Sequence, residues 1–226
     1  MPPRRILSLW LRALAMDRHS LAHGRGEPAT PLVLIADTAH GPRIEALDPA
    51  AAAGGARAGM MLADARTLCP QIVTAPHDPA GDLAFLEQLA VWALRWGPWA
   101  ALDPPDGLLV DITAVPHLFG GEARLLADVH AAFARRGLTV RAAIAPAAGA
   151  AWALAHFGGA GAILDPSPAA GPDMLAALAD LPVAALRLDG DVLTVLRRLG
   201  IKRIGQLAGV EQGAGGRDAI QRRFRN

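Results

Sequence analysis

Four short apolar runs, set apart by stretches of helical period, restrict this chain to a mixed fold of sheet and helix. Ile6-Leu7-Ser8-Leu9-Trp10-Leu11, Leu32-Val33-Leu34-Ile35-Ala36, Leu108-Leu109-Val110-Asp111-Ile112-Thr113 and Thr139 to Ala145 each have strand length. From Asp82 to Gly97-Pro98, apolar residues recur three or four apart (Leu83, Leu86, Leu89, Ala93), which predicts a helix. Glu122 to Arg136 repeats the pattern with Leu125, Leu126, Val129 and Phe133, and Gly137 stands at the position that ends such a helix. Arg12 to Leu21, Leu62 to Leu68 (stopped by Pro70) and Ala147 to Phe157 read as further helices, and Gln71 to Ala75 as a strand. Asp37 to Pro42 reads as a polar turn, Ala50 to Gly59 as a loop of small residues, and Asp103-Pro104-Pro105-Asp106-Gly107 as a turn. The order strand, helix, strand, strand, helix, strand predicts an α+β fold, a ferredoxin-like sheet with one inserted lobe.

Composition narrows the function. With 52% hydrophobic and 19% charged residues in 226, the chain is globular. One cysteine, Cys69, excludes a disulfide framework and any multi-cysteine metal site. No apolar run reaches the roughly 18–20 residues of a membrane span. Arg12 cuts the first run short of a signal sequence, so a cytoplasmic location is expected. The stretch Gly158 to Pro172 marks a boundary, and Asp173 to Arg223 reads as short helices. From Arg187 onward nine basic residues face four acidic ones, a net +5 on a chain whose total is +1. A basic helical end on a mildly acidic body suits a nucleic-acid contact, and equally a solvated helix surface. Tyrosine is absent, and Lys202 is the one lysine.

Three segments together resemble the Y-family of translesion DNA polymerases. Gly55-Ala56-Arg57-Ala58-Gly59-Met60, running on to Leu68-Cys69-Pro70, is similar to its fingers signature. Asp106-Gly107-Leu108-Leu109-Val110-Asp111-Ile112-Thr113 is similar to a palm strand, and Arg141 to Pro146 to the strand that closes the sheet. Leu181-Pro182-Val183, Leu196-Arg197-Arg198-Leu199-Gly200-Ile201 and Ile204-Gly205-Gln206-Leu207 resemble a helix-hairpin-helix thumb. The resemblance implies a palm of residues 1–12 and 77–165, fingers of 13–76 and a thumb of 166–226. A little-finger domain is absent, so the sequence is expected to be an N-terminal fragment.

The chemistry the resemblance implies is two-metal nucleotidyl transfer, which needs about three clustered carboxylates. The first-strand carboxylate falls at Trp10 and a following one at Arg12. Asp106 keeps one position of the Asp-Glu turn, and its neighbour is Gly107. Residues that grip the triphosphate fall at Pro49, Ala52 and near Trp152, and the sugar-selecting aromatic falls at Ala15. The expectation is a non-catalytic member with no metal and no cofactor, in which Arg12 pairs with Asp106. Together with Asp111 to Glu122, this pattern is similar to the branch that serves as hub of a mutagenic, SOS-type repair complex. That branch implies three partners: a RecA-like protein (ImuA), a C-family polymerase (ImuC) and the sliding clamp. DNA contact is expected at Gly200, Lys202 and Arg203, although Asp189 sits where the first hairpin of the thumb would meet phosphate.

Blander readings stand beside these. Asp106 in Pro-Pro-Asp-Gly is explained by turn chemistry. Cys69 reads as a buried thiol, His117, His130 and His156 as surface or packed side chains, and Trp92, Trp96 and Trp99 as core. An active translesion polymerase and an unrelated α+β enzyme remain as alternative functions.

Overall fold

The computed structural model describes residues 3–24, 30–164 and 174–207. Its strands are β1 (Ile6–Trp10), β2 (Leu32–Thr38), β3 (Gly41–Leu47), β4 (Val73–Pro76), β5 (Trp99–Asp103), β6 (Gly107–Asp111) and β7 (Arg141–Ala145). Its α-helices are α1 (Leu14–His23), α2 (Pro49–Ala53), α3 (Leu62–Leu68), α4 (Pro79–Ala93), α5 (Glu122–Arg135), α6 (Ala148–Phe157), α7 (Met174–Leu178) and α8 (Gly190–Arg198). Short 3₁₀ turns cover Pro116–Phe119 and Val183–Leu186. No helix among the described residues is long and apolar enough to cross a membrane.

The larger sheet has the order β5-β6-β1-β7 with every pair antiparallel. Numbering its strands in chain order gives 4-1-3-2 from β7 to β5, the ferredoxin-like arrangement that the order of elements predicts. The smaller sheet, β3-β2-β4, lies in the segment between β1 and α4 and is the inserted lobe.

Alternation along β1 builds two cores. Leu7 and Leu9, with Leu11 beyond the strand, are fully buried with Leu86 and Leu89 of α4 and Leu125, Val129 and Phe133 of α5. Ile6 and Trp10 point the other way, toward Ala150, Ala151, Leu154 and Ala155 of α6. The alanines of α6 let its backbone come close to that face. Helix α5 ends as its pattern predicts: Gly137 adopts φ 72°, and the Leu138 N–H donates to the Phe133 carbonyl at 3.0 Å.

Arg5 ties these layers together. Its guanidinium, almost wholly buried, donates to both Glu122 oxygens at 2.5 Å and to the Leu164 carbonyl at 2.7 Å. The start of β1, the first turn of α5 and the strap at 162–164 therefore share one bidentate ion pair.

Three local expectations are corrected. The polar turn is confined to the tip of a β2–β3 hairpin, and β3 continues from Gly41. Its Gly-Pro start and half-exposed residues hide a strand whose one full partner is β2, with only a short bridge to 59–61 on its other side. Ala50 to Gly59 is not all loop. Asp48 accepts from the Ala51 N–H at 2.7 Å and Pro49 opens α2, so a cap nucleates a short helix from alanines. Finally, β5 forms an edge strand, and its Trp99 is 75% exposed instead of packing in the core with Trp96. The expected thumb lies only partly within the described residues: 165–173 and the tail from 208, with Gly213 to Asn226, fall outside them.

Removing one partner from a buried pair leaves an uncompensated charge. Glu122→Ala is therefore expected to cost about 3–5 kcal/mol, read as a lowered denaturant midpoint at unchanged slope.

Candidate functional site

The ends of β1, β6 and β7 meet at one corner of the larger sheet. Trp10 lies opposite Gly107 on one side and Arg141 on the other. The residue after Trp10, Leu11, donates its N–H to the Asp106 carbonyl at 2.8 Å, which fixes the Asp103–Gly107 turn over the end of β1. From there the Trp10 Nε1–H donates to Asp106 Oδ2 at 2.9 Å.

Rings fill the space beyond that bond. The Trp10 ring stacks on His156 at 4.3 Å between centroids, and His156 stacks on Trp152 at 3.9 Å. Trp152 and His156 stand one helical turn apart on α6, so a single helix face supplies both. The His156 Nδ1 lies 2.9 Å from the Trp152 carbonyl, an acceptor only, so Nδ1 carries the proton. Arg187 closes the far end with its guanidinium 4.8 Å from the Trp152 ring centre and 2.7 Å from Asp103 Oδ1. Arg141 flanks the near end, 5.7 Å from the Trp10 ring, and donates to the carbonyls of His156 and Gly158 where α6 ends. Each aromatic pair is worth about 0.5–1.5 kcal/mol beyond its buried area.

The expected pairing of Arg12 with Asp106 does not form. Arg12 is exposed, and the Asp106 oxygen is taken by an indole. Trp10 extends along the sheet face toward the turn, whereas Arg12 follows the strand end and lines the clefts beside the inserted lobe. Those clefts, about 960 and 620 Å³, also hold Pro49, Ala52 and Ala15, the positions matched to triphosphate and sugar contacts. Arg57 lines the larger one but turns its guanidinium onto the Ala52 and Ala56 carbonyls.

Gly107 has no room for the carboxylate that the resemblance places there. A Cβ at this position would stand 2.8 Å from the Asp103 carbonyl oxygen and 3.1 Å from its Oδ2. Among the described residues no group of three or more His, Cys, Asp or Glu side chains is arranged to hold a metal ion. The donor set does not fit a two-metal centre: Asp106 is bound by an indole and Asp103 by a guanidinium.

The remaining candidates are spread out. Gly200 sits in a left-handed turn at φ 79°, and Lys202 and Arg203 follow it, exposed. Their backbone N–H groups both donate to Gln206 Oε1, at 2.8 and 3.0 Å, and Arg203 pairs with Asp180 at 3.1 Å. Cys69 is buried in the core of the inserted lobe. His156, Trp152, Arg187 and Asp103 were not read together from sequence; the Trp152–His156 spacing was the only local trace of the column.

Residues 25–156 match the impB/mucB/samB family. The chain belongs to that family. It is 51% identical over 149 residues to Protein ImuB of Caulobacter vibrioides, in two strains. The match covers 66% of this chain and 31% of the relative, so the chain spans about a third of the relative's length. Among solved structures, the insertion ternary complex of Dbh DNA polymerase superposes with TM-score 0.71 at 17% identity, over 88% of this chain and 58% of that one. DinB from Sulfolobus solfataricus gives TM-score 0.68 at 14% identity, over 96% and 66%. The fold is that of the Y-family polymerases, as the three sequence segments predict.

Burial raises the pKa of Asp106 above the usual carboxylate range, against the lowering effect of the Trp10 hydrogen bond. A raised folded-state value means that the ionised form is disfavoured by folding. The penalty is present above that value and vanishes as pH falls below the ordinary carboxylate range. Asp106→Asn is expected to raise Tm near neutral pH, with the gain shrinking toward pH 4 or below. Thermal melts of both proteins across pH check this.

Proposed function

We propose that this chain is a catalytically inactive, Y-family polymerase-like scaffold in SOS-type mutagenic translesion DNA synthesis. It acts in the cytoplasm and is organised as palm (1–12 and 77–165), fingers (13–76) and thumb (166–226). The observation that carries the reading is the bond from Trp10 to Asp106 beside a Gly107 that excludes a side chain. One carboxylate, Asp106, remains at the positions where the family's chemistry uses a cluster, and its Oδ2 already accepts from Trp10. The likeness to ImuB supports a DNA-damage role. A hub without chemistry of its own works through partners, here a RecA-like ImuA, a C-family polymerase ImuC and the sliding clamp.

Primer extension with Mg²⁺ or Mn²⁺ and all four dNTPs tests the reading, and the expected result is no product. Trp10→Asp with Gly107→Glu is also expected to yield none, because Pro49 and Ala52 leave the triphosphate without a grip. The double variant should melt lower than the parent, since the 107 side chain displaces the turn. Primer extension by the parent chain would overturn the proposal.

DNA contact through Lys202 and Arg203 belongs to the same proposal. Replacing both with Ala should weaken binding equally for all sequences. It should flatten the slope of log K against log salt by about 0.9 per lost contact on duplex DNA. Asp189→Gly should tighten binding if the turn faces phosphate. Fluorescence anisotropy across a salt series measures both.

A further inference from the structure

We infer that the Trp10–His156–Trp152–Arg187 column is a latch that fixes the helical segment 174–207 against the larger sheet. The column runs without a gap from a side chain of the central strand, through two side chains of α6, to a side chain that follows the Val183–Leu186 turn. It closes on itself, because Arg187 ends on Asp103 and Trp10 ends on Asp106, two residues of one turn. One guanidinium and one indole N–H thus bind the two carboxylates of the turn, and the guanidinium belongs to the helical segment.

Two independent features say that the segment needs such a device. Its apolar seat is small: Ala185 and Ile204 are buried with Ala153 of α6, and Leu178 and Leu181, only partly buried, pack there and against the cluster of Ile6, Ala150 and Leu154. Arg187, moreover, adopts φ 56°, the left-handed region that a side chain enters at a cost. A glycine there would be free of strain, so the backbone alone does not call for arginine. The strain is offset only by what the side chain reaches, the Trp152 ring and the Asp103 carboxylate. The half-exposed guanidinium is thereby committed to the protein and not to the phosphate contact that a hairpin turn at this place would make.

The amides of Val183, Ile201 and Ile204 are bonded within the segment, to Lys202, Leu196 and Leu181 carbonyls. With so small a core of its own, the segment keeps those bonds closed only while it is seated. Hydrogen exchange on the full chain therefore reads the latch. In Arg187→Gly, which relieves backbone strain while removing the side chain, exchange across 183–204 should accelerate about tenfold or more, with β1 and β6 unchanged. Arg187→Lys keeps the charge without the flat face and should fall between. Asp103→Asn, which attacks the latch from the sheet side, should also accelerate exchange in 183–204. Unchanged or slower exchange in 183–204 for both Arg187→Gly and Asp103→Asn would overturn the inference, whatever happens to Tm.

Discussion

A strand with four of its five residues buried, hydrogen-bonded on both sides and covered by helices on both faces, leaves its side chains only two destinations. In β1 the odd positions Leu7 and Leu9 enter the large core under α4 and α5, and the even positions Ile6 and Trp10 face α6. A one-residue slip would exchange the two sets and is opposed by both cores at once. The position of Trp10 follows from that register. It is the last residue of the strand, on the face where α6 offers mostly alanines, and its indole has space to run along the sheet toward the turn before β6.

That register also explains why rings gather at the corner. Burial, and to a lesser degree the Asp103 carboxylate beside it, raises the cost of ionising Asp106, so a positive or proton-donating group nearby steadies the turn. A divalent cation would serve, given further oxygen ligands. Here an indole N–H answers Asp106 and a guanidinium answers Asp103, and flat faces rather than ligands surround both. Glycine at 107 is part of the same solution, since the turn packs against its α-carbon closely enough to exclude a Cβ. Positions 10 and 107 are directly opposite in register, so the indole and the glycine share one set of surroundings.

How much of this was legible in the sequence depends on whether the signal was local. Helix α5 was, because its buried positions recur at helical spacing and Gly137 ends it; β1, β6 and β7 were, because each is mostly apolar and mostly buried. Edge strands β3 and β5 were not. They bury only part of one face, and Gly41, Pro42 and the alanines of β5 carry no alternation. The site divides in the same way. Trp10, Asp106 and Gly107 were found because each stands in a motif, whereas the ring column joins residues 10, 152, 156 and 187. Only the fold brings those residues together, and the i, i+4 pair on α6 is common to any packed helix face.

At the basic end the backbone donors that a hairpin turn would offer are already engaged within the chain. A helix-hairpin-helix turn holds phosphate with backbone N–H groups, which act only within hydrogen-bond distance. At 202 and 203 those N–H groups already donate to Gln206, which caps the short helix that follows. At the first turn the guanidinium of Arg187, still half-exposed, is engaged by Asp103 and the Trp152 ring. What remains for a polyanion is the charge of exposed side chains on flexible stems, Lys202 and Arg203 among them, with Arg203 shared with an exposed Asp180. Such charges attract over about 8 Å at physiological salt and carry no directional preference. Charges of this kind would hold a polyanion loosely and in any register, unlike backbone donors, which fix one phosphate at one place.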